Sequence, residues 1–211
     1  MMRNKQVGII NYGSGNLASV YNAVDYLGFK PIFITEQNEA RKFSHLILPG
    51  VGSYAKLANF LQTSGWSSTL KEITKSGIFL FGICIGMQLL FEEGEEGGIT
   101  KGIGLFSGTC RSFCFKNKKN DLPIPHIGFN EVNHRNTKVW KGIDNNSPFY
   151  FVHAYRIKKT SSETIAGTTN YGESFISFIE NQNIFGSQFH PEKSHNVGLR
   201  LLKNFIELKN W

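Results

Sequence analysis

Four short apolar segments in the first half of the chain constrain the fold most. They are QVGII at residues 6–10, KPIFI at 30–34, HLILPG at 45–50 and GIFLFGI at 77–83. The intervening segments have helical periodicity, seen in residues 57–75 and in the spacing of Leu17, Val20, Tyr21, Val24 and Leu27. Apolar strands that alternate with helices are typical of a parallel sheet covered on both faces.

The second half of the chain has a different pattern, in which strand-like segments follow one another closely. These segments are residues 124–132, 148–157, 163–169, 174–180 and 183–189, and an amphipathic helix is predicted over 196–211. A length of 211 residues suits one ordinary domain with a substantial core. We therefore predict a single α/β domain over residues 1–211, with a mostly parallel sheet flanked by helices and additional antiparallel strands in the C-terminal half.

Composition excludes several classes of protein. Hydrophobic residues make up 40% and charged residues 18%, as in a globular chain, and no apolar stretch approaches the roughly 18 residues that span a bilayer. The three cysteines, Cys84, Cys110 and Cys114, are too few for a disulfide framework, and no companion Cys/His pair indicates a metal site. We expect a cytoplasmic protein without a metal, a cofactor or a membrane contact.

The formal net charge of +7 raises the question of nucleic-acid binding. The basic residues are dispersed, however, and the densest cluster is KNKKN at residues 116–120. Its polar and proline neighbours are typical of a solvated loop. We expect no nucleic-acid partner, although this loop could form part of the docking surface for an acidic protein.

Cys84 lies between Gly82 and Gly86, where the last of the apolar segments gives way to an amphipathic one. A Gly-x-Cys-x-Gly sequence at a strand-to-helix junction makes a sharp turn that presents the sulfur at the carboxyl end of the sheet. The start of a helix favours a thiolate, and the N–H of Ile85 is placed to stabilise an oxyanion. Gln88, one helical turn on, is predicted to share a face with the sulfur. A lone cysteine here is also compatible with a small buried core residue.

His190 and Glu192 follow an apolar segment in the sequence GSQFHPEKSH. Because they are two residues apart, their side chains would leave an extended chain on the same side. A thiol nucleophile needs such a pair, since the imidazole accepts the thiol proton, later protonates the leaving group, and is oriented by the carboxylate. Together with Cys84, the pair predicts a Cys-His-Glu catalytic triad.

Several sequence blocks, in a fixed order, carry a resemblance to a known family. They are INYGSGNLASV near the N-terminus, LPGVGSY from Leu48, GICIGMQLLF around Cys84, PHIGFNEV from Pro125 and QFHPEKS around His190. The chain resembles the class I, triad-type glutamine amidotransferases, and among them the glutaminase subunits of imidazole glycerol phosphate synthase. The resemblance extends over essentially the whole chain and implies a flavodoxin-like sheet.

The resemblance implies hydrolysis of L-glutamine to glutamate and ammonia through a thioester, without a cofactor. It assigns Cys84 as the nucleophile, His190 as the base and Glu192 as the acid that orients the base. The positions that match the family's oxyanion and substrate contacts are Val51, Gly52, Ile85, Gln88 and Glu96. The glycines that flank Val51 are expected to let its peptide rotate, so that its N–H faces the oxyanion only in a complex.

The resemblance also implies a partner that accepts ammonia directly, because free ammonia is lost to protonation and diffusion. In the family this partner is a (β/α)8-barrel cyclase of histidine biosynthesis, and the two subunits form a heterodimer. The positions that match the contact surface are Asn11, Asn16, Lys193 and Phe129, the last of which replaces the family's usual Trp. An amidotransferase that modifies surface sugars is the alternative partner.

Two alternatives from other functional classes stay open. The first is another cysteine hydrolase, acting on peptides or γ-glutamyl compounds, which Gln88 and the PGVG loop disfavour. The second is a catalytically silent interaction subunit, which the complete triad disfavours. An assay of free glutamine against γ-glutamyl peptides separates the glutaminase from the first alternative.

Overall fold

The computed structural model describes residues 5–13, 17–50, 52–115, 122–161 and 163–209. Within these ranges the α-helices are α1 (Leu17–Tyr26), α2 (Tyr54–Thr63), α3 (Trp66–Lys75), α4 (Ile85–Leu89) and α5 (His195–Glu207). The strands are β1 (Gln6–Ile10), β2 (Lys30–Ile34), β3 (His45–Leu48), β4 (Phe79–Ile83), β5 (Phe91–Gly94), β6 (Thr100–Lys101), β7 (Phe106–Ser112), β8 (His126–His134), β9 (Ser147–His153), β10 (Tyr155–Ile157), β11 (Ile165–Tyr171), β12 (Glu173–Asn181) and β13 (Ile184–Ser187). Short 3₁₀ helices occupy Gln37–Lys42, Lys138–Trp140 and Pro191–Lys193.

The parallel part of the sheet has the strand order β2-β1-β3-β4-β13. Each adjacent pair in this series runs parallel. With β13 counted as the fifth strand, the order is that of a flavodoxin-like sheet, as the resemblance implied. Every residue of β3 and β4 is buried, which explains why their sequences are nearly continuous apolar runs rather than alternating ones. All four apolar segments that predicted strands lie in this part of the sheet.

The remaining strands are mostly antiparallel. β12 continues the sheet from β13, and β10 and β7 follow it. β11 pairs with both β12 and β8, and β8 pairs with β9. The pairing of β5 with β7 is a parallel exception. The prediction of additional antiparallel strands in the C-terminal half is therefore confirmed.

The segment that follows the cysteine turn differs from the sequence prediction, because α4 ends at Leu89 after only 5 residues. The returning chain supplies the reason. The N–H of Ile103 donates to the carbonyl of Leu89 at 2.6 Å. The N–H of Leu105 donates to the carbonyl of Leu90 at 2.8 Å. These bonds satisfy carbonyl groups at the end of the helix, so the chain continues as β5, a strand that the amphipathic pattern did not predict.

Helix α5 covers the parallel strands with a stripe of buried side chains, Leu201, Leu202, Phe205 and Ile206. The ring of Phe205 lies 5.0 Å from that of Phe81 in β4, measured between centroids. This packing places the core around the strands whose carboxyl ends carry the predicted site residues. None of the helices in the described ranges is long and apolar enough to cross a membrane.

Candidate active site

A cleft of about 380 Å³ lies where β3, β4 and β13 reach their carboxyl ends, a size that suits a small metabolite. Its walls include the predicted site residues Gly52, Cys84, Ile85, Gln88, Glu96 and His190, together with Gly50, Pro125, Val152, His153, Ala154 and Tyr155. Glu192 lies behind His190, and Val51 is outside the described residues. The ends of three neighbouring strands thus bring residues that are distant in sequence into one cavity.

Cys84 occupies a strained turn between β4 and α4. Its φ of 54° and ψ of −110° lie in a region that residues other than glycine rarely adopt. A Cβ on Gly86 would lie 2.0 Å from the carbonyl oxygen of Leu48, and one on Gly82 would lie 2.6 Å from the carbonyl oxygen of Gly86. The turn is therefore pressed against the end of β3, and both glycines of the Gly-x-Cys-x-Gly sequence are required by close backbone contact.

The sulfur of Cys84 lines the cleft, although the residue is only 4% exposed. Its Sγ lies 4.0 Å from the carbonyl oxygen of Val152 and 3.7 Å from the side-chain nitrogen of Gln188. The sulfur therefore has both a carbonyl acceptor and an N–H donor nearby. Its position at the end of β4 agrees with the sequence prediction, but it is enclosed rather than raised into solvent.

His190 and Glu192 form a buried pair, with Nδ1 of the imidazole 2.8 Å from Oε1 of the carboxylate. The carboxylate accepts this hydrogen bond, so Nδ1 carries a hydrogen and Nε2 is left for the thiol. Nε2 has no hydrogen-bond partner among the described residues. Burial opposes protonation of this imidazole, but a thiolate at Cys84 and the carboxylate of Glu192 outweigh it and raise the pKa of His190 to about 10. The arrangement favours the protonated form of the imidazole.

The histidine and the glutamate meet for a different reason than the one that the sequence suggested. β13 ends at Ser187, and Pro191–Lys193 forms a 3₁₀ helix, so the chain turns here instead of extending. The N–H of His190 donates to the carbonyl of Tyr150 at 2.9 Å, which fixes the start of the turn. Pro191 is compatible with the first helical position because its missing N–H is not needed there.

Glu96 and Gln88 line the same cleft. Oε2 of Glu96 accepts from the N–H of Tyr54 at 2.9 Å and so holds the carboxylate at the start of α2. Nε2 of Gln88 donates to the carbonyl of Tyr155 and to Oε1 of Gln188, both at 3.0 Å. The acceptors left for an ammonium group are the second carboxylate oxygen of Glu96 and the amide oxygen of Gln88.

The candidate oxyanion donors come from Ile85 and from the loop after β3. Ile85 is the first residue of α4, so its N–H has no acceptor within the helix. Gly50 is tightly packed, since a Cβ there would lie 2.1 Å from the backbone nitrogen of Gly86. Gly52 has a φ of +112° and no atom within 4 Å of an added Cβ. Gly50 and Gly52 were both expected to let the peptide at Val51 rotate, but of these two glycines only Gly52 has space around it.

Phe129 and Lys193, two of the predicted partner contacts, belong to one patch of the surface. Phe129 is 50% exposed, and its ring stacks on His195 at a centroid distance of 5.2 Å. Its edge meets the ring of Tyr150 at 5.5 Å. The ammonium of Lys193 lies 5.9 Å from the centre of the same Tyr150 ring. We call Phe129, Tyr150, Lys193 and His195 the aromatic patch.

Asn11, a third predicted partner contact, is not among the residues of the aromatic patch. Asn11 follows β1, at the same carboxyl-terminal edge of the parallel strands as the cleft. Its Oδ1 accepts from the N–H of Gly13 at 2.9 Å. Asn16 lies outside the described residues. A contact role for either asparagine stays a prediction.

Sequence reasoning missed a pair of buried histidines at the cleft wall, in which His153 lines the cleft and contacts His126. Nδ1 of His153 donates to the carbonyl of Tyr155 at 2.8 Å, so Nε2 of His153 must accept from Nδ1 of His126, 3.1 Å away. Nε2 of His126 in turn accepts from the side-chain amide of Asn130 at 3.3 Å. Burial lowers the pKa of His126 to about 4 and that of His153 to about 3, which keeps both neutral. No sequence pattern signals a pair that forms between two strands 27 residues apart.

A second cavity of about 700 Å³ lies near the start of β4, between Phe79 and residues of β12 and β13 that include Glu180 and Phe185. None of its described lining residues is a cysteine or a histidine. Across the described ranges, no group of three or more potential ligands is arranged to hold a metal ion. The smaller cleft is therefore where a nucleophile, a base and an acid come together.

A sequence model of the family described as glutamine amidotransferase class-I matches residues 8–208. The chain belongs to this family. It is 42% identical to the imidazole glycerol phosphate synthase subunit HisH of Moorella thermoacetica, over 97% of this chain and 95% of the relative. It is 40% identical to the subunit of that name from Helicobacter hepaticus, over 98% of this chain and 100% of the relative. The structure of PurLQS from Thermotoga maritima has the same fold, with a TM-score of 0.74 at 17% identity and coverage of 96% and 97%.

Proposed function

We propose that this protein hydrolyses L-glutamine to glutamate and ammonia and delivers the ammonia to the cyclase subunit of imidazole glycerol phosphate synthase, in histidine biosynthesis. The observation that carries the proposal is the buried Nδ1–Oε1 contact of His190 and Glu192 at 2.8 Å, in the same cleft as Cys84. Membership of the class I glutamine amidotransferases and the HisH relatives support it.

In the first half of the reaction, the thiolate of Cys84 attacks the side-chain amide carbon of glutamine. The tetrahedral oxyanion is stabilised by the N–H of Ile85 and by the backbone between Gly50 and Gly52. The imidazolium of His190 gives its Nε2 proton to the amide nitrogen, ammonia leaves, and a thioester on Cys84 remains. Glu192 keeps the imidazole oriented while it passes through its neutral form.

In the second half, a water molecule attacks the thioester. Neutral His190 accepts a proton from this water through Nε2, and the second oxyanion is held by the same donors as the first. The carbon–sulfur bond breaks, glutamate is released, and the thiolate–imidazolium pair is restored. Glu96 and Gln88 bind the amino-acid end of glutamine in both halves, because both line the cleft and the carboxylate of Glu96 can accept from the α-ammonium group.

The aromatic patch supports a partner that docks next to the triad. Glu192 and two members of the patch, Lys193 and His195, line one surface recess together. A partner with a surface acid for Lys193 and an apolar contact for Phe129 would therefore press on the segment that carries the catalytic acid. A (β/α)8-barrel cyclase bound here would form the heterodimer and receive ammonia without its release to solvent.

The test is glutamate formation by the isolated chain and by the chain saturated with the cyclase and its acceptor substrate. We expect the isolated chain to be slow and the complex to be faster by about 10²–10³, the worth of one oxyanion donor. Cys84→Ala is the control and should be inactive in both states, and a diazoketone analogue of glutamine should label Cys84. Label on Cys110 or Cys114 would contradict the nucleophile, and activation only by a sugar amidotransferase would contradict the pathway.

We further propose that residues 1–211 act as one domain in the cytoplasm. The strands of both halves join in one continuous network, which supports a single unit. Cys84, Cys110 and Cys114 are all free, as expected in a reducing compartment. Fractionation of the native cells and limited proteolysis of the purified chain test the two statements separately.

A further inference from the structure

Gln188 is a completely buried polar residue that lies just after β13 and two positions before His190. It is not among the residues that line the cleft. Its backbone N–H donates to the carbonyl of Ser177 at 2.9 Å, which holds it against β12. Burial of an amide side chain is unfavourable unless its polar atoms find partners, so the contacts of this side chain define what it does.

The orientation of the Gln188 amide is determined by hydrogen bonds that start at the carbonyl of Tyr155. A carbonyl can only accept, so the Gln88 atom that lies 3.0 Å from it is the nitrogen Nε2. The same nitrogen lies 3.0 Å from the amide of Gln188 and donates there, so the Gln188 atom that faces it is the oxygen. The nitrogen of Gln188 therefore faces Cys84, with 3.7 Å between Nε2 and Sγ.

An N–H donor interacts more favourably with a thiolate than with a thiol, because a charged acceptor forms the stronger hydrogen bond. The carbonyl of Val152, 4.0 Å from Sγ, has the opposite preference. We infer that Gln188 is a positioning residue for the nucleophile, which holds the sulfur in place and favours its thiolate form, while Gln88 keeps the donor aimed. The inference rests on the proposed role of Cys84 and deepens it.

Other titratable groups lie in the same cleft as Cys84 or interact with it, so their effects must be separated from that of Gln188. Four of them line the same cleft, namely His153, His190, Glu96 and Tyr155. Buried Cys110 of β7 interacts electrostatically with Cys84 as well. Because the Gln188 side chain is neutral, its replacement by another neutral residue leaves all of these charges in place.

The test measures alkylation of Cys84 by iodoacetamide as a function of pH, in full-length variants, with the modified residue identified by mass spectrometry. Gln188→Met removes the donor at similar volume, and Gln188→Glu keeps the shape but places a carboxylate by the sulfur. We expect the midpoint of the pH profile to rise by about one unit in Gln188→Met and further in Gln188→Glu. In the partner complex, the kcat of Gln188→Met for glutamine should fall by up to about tenfold with little change in KM.

Ser187→Ala is the matched control, because Ser187 is equally buried, is adjacent in sequence, and donates its hydroxyl hydrogen to the carbonyl of Phe189 at 2.9 Å. It should leave the midpoint unchanged. Equal midpoints in the wild type and Gln188→Met, or an equal shift in Ser187→Ala, would overturn the inference. Alkylation needs no glutamine, so it tests Gln188 independently of glutaminase activity. An absence of glutaminase activity with every partner would contradict the proposed function, but the pH profile of alkylation could still be compared between variants.

If the Gln188 variants do not fold, an NMR measurement on the wild-type protein tests the same inference. With nitrogen-15 in the glutamine side chains, the amide resonances of Gln188 should move as the pH titrates the thiol. That movement should be absent in Cys84→Ala, which has no titrating sulfur. If the amide resonances of Gln188 in the wild type do not move while the thiol of Cys84 loses its proton, the inference is wrong.

Discussion

The two walls of the cleft differ in how tightly their backbone is held. In the wall that carries Cys84, a Cβ added to Gly86 would lie 2.0 Å from the carbonyl oxygen of Leu48, and a Cβ added to Gly82 would lie 2.6 Å from the carbonyl oxygen of Gly86. In the loop after β3, an added Cβ on Gly52 would meet no atom within 4 Å. The turn of Cys84, which we call the fixed wall, is thus held by packing, whereas the backbone at Gly52, which we call the open wall, has room to change. We therefore expect a partner that controls turnover to act on the open wall, because the rigid turn of Cys84 offers little to adjust.

The largest expected effect concerns His190, the base for the nucleophile that the fixed wall carries. His190→Ala should lower the rate of glutamine hydrolysis in the partner complex by about 10²–10⁴, the worth of a positioned acid–base group. Glu192→Gln should cost less, since it weakens the orientation of the imidazole at Nδ1 without removing Nε2. Initial rates of glutamate formation at saturating glutamine provide the measurement. Normal turnover by His190→Ala when saturated with partner would show that the triad is wrong.

The second prediction tests whether packing fixes that wall. In Gly50→Ala the new Cβ would lie 2.1 Å from the nitrogen of Gly86 and 2.7 Å from the carbonyl carbon of Ile85, where no flexible side chain can move aside. We expect the free energy of unfolding to fall by about 1–3 kcal/mol or more, the cost of overpacking a core. Urea denaturation measures it, and an unchanged midpoint would show that the turn of Cys84 tolerates displacement.

The third prediction concerns the open wall and uses Gly52→Ala as the counterpart of Gly50→Ala. Its φ of +112° is strained for alanine, but no neighbour is displaced. The free energy of unfolding should therefore fall by only about 1–2 kcal/mol, the cost of an unfavourable backbone region. The same denaturation experiment compares the two variants. Equal destabilisation by both would remove the difference between the walls.

The sequence predicts the features that depend on neighbouring residues better than those that depend on contacts between residues far apart in the chain. The parallel strands and the turn at Cys84 were predictable, because apolar runs and a Gly-x-Cys-x-Gly sequence are local patterns. The end of α4 was not, since the carbonyl of Leu89 is satisfied by Ile103 from a returning segment. Gln188 had a usable signal, as it precedes His190 by two residues in the same block. Its contact with the sulfur depends on Gln88, which is 100 residues away in sequence, so this contact could not be predicted from the sequence.

The smallest expected effect comes from the buried histidines, His126 and His153, which belong to neither the fixed wall nor the open wall. His126 has a pKa of about 4 in the folded protein, lowered by burial from the ordinary value of 6.5, so the unfolded chain binds more protons between these values. Its contribution to stability is complete above the ordinary pKa and is lost as the pH falls toward the folded one. His153 and His45, whose pKa values are lowered to about 3, act in the same direction. For His126 alone the loss begins between about pH 7 and pH 6, where the unfolded chain starts to bind a proton that the folded chain does not.

His126→Phe isolates this contribution, because phenylalanine can keep the stacking that His126 makes with Tyr171 at 3.9 Å and with Phe151 at 4.8 Å. The free energy of unfolding should then fall less steeply with acid than in the wild type. At alkaline pH the free energy of unfolding should fall as the pH rises, because the pKa of His190 is raised in the folded protein. The stability that this shift contributes is fully present below the ordinary pKa of 6.5 and is lost as the pH rises toward about 10. Cys84→Ala should flatten that alkaline limb and leave the acid limb unchanged. An acid limb of the same steepness in His126→Phe would mean that His126 does not gain a proton on unfolding in this pH range.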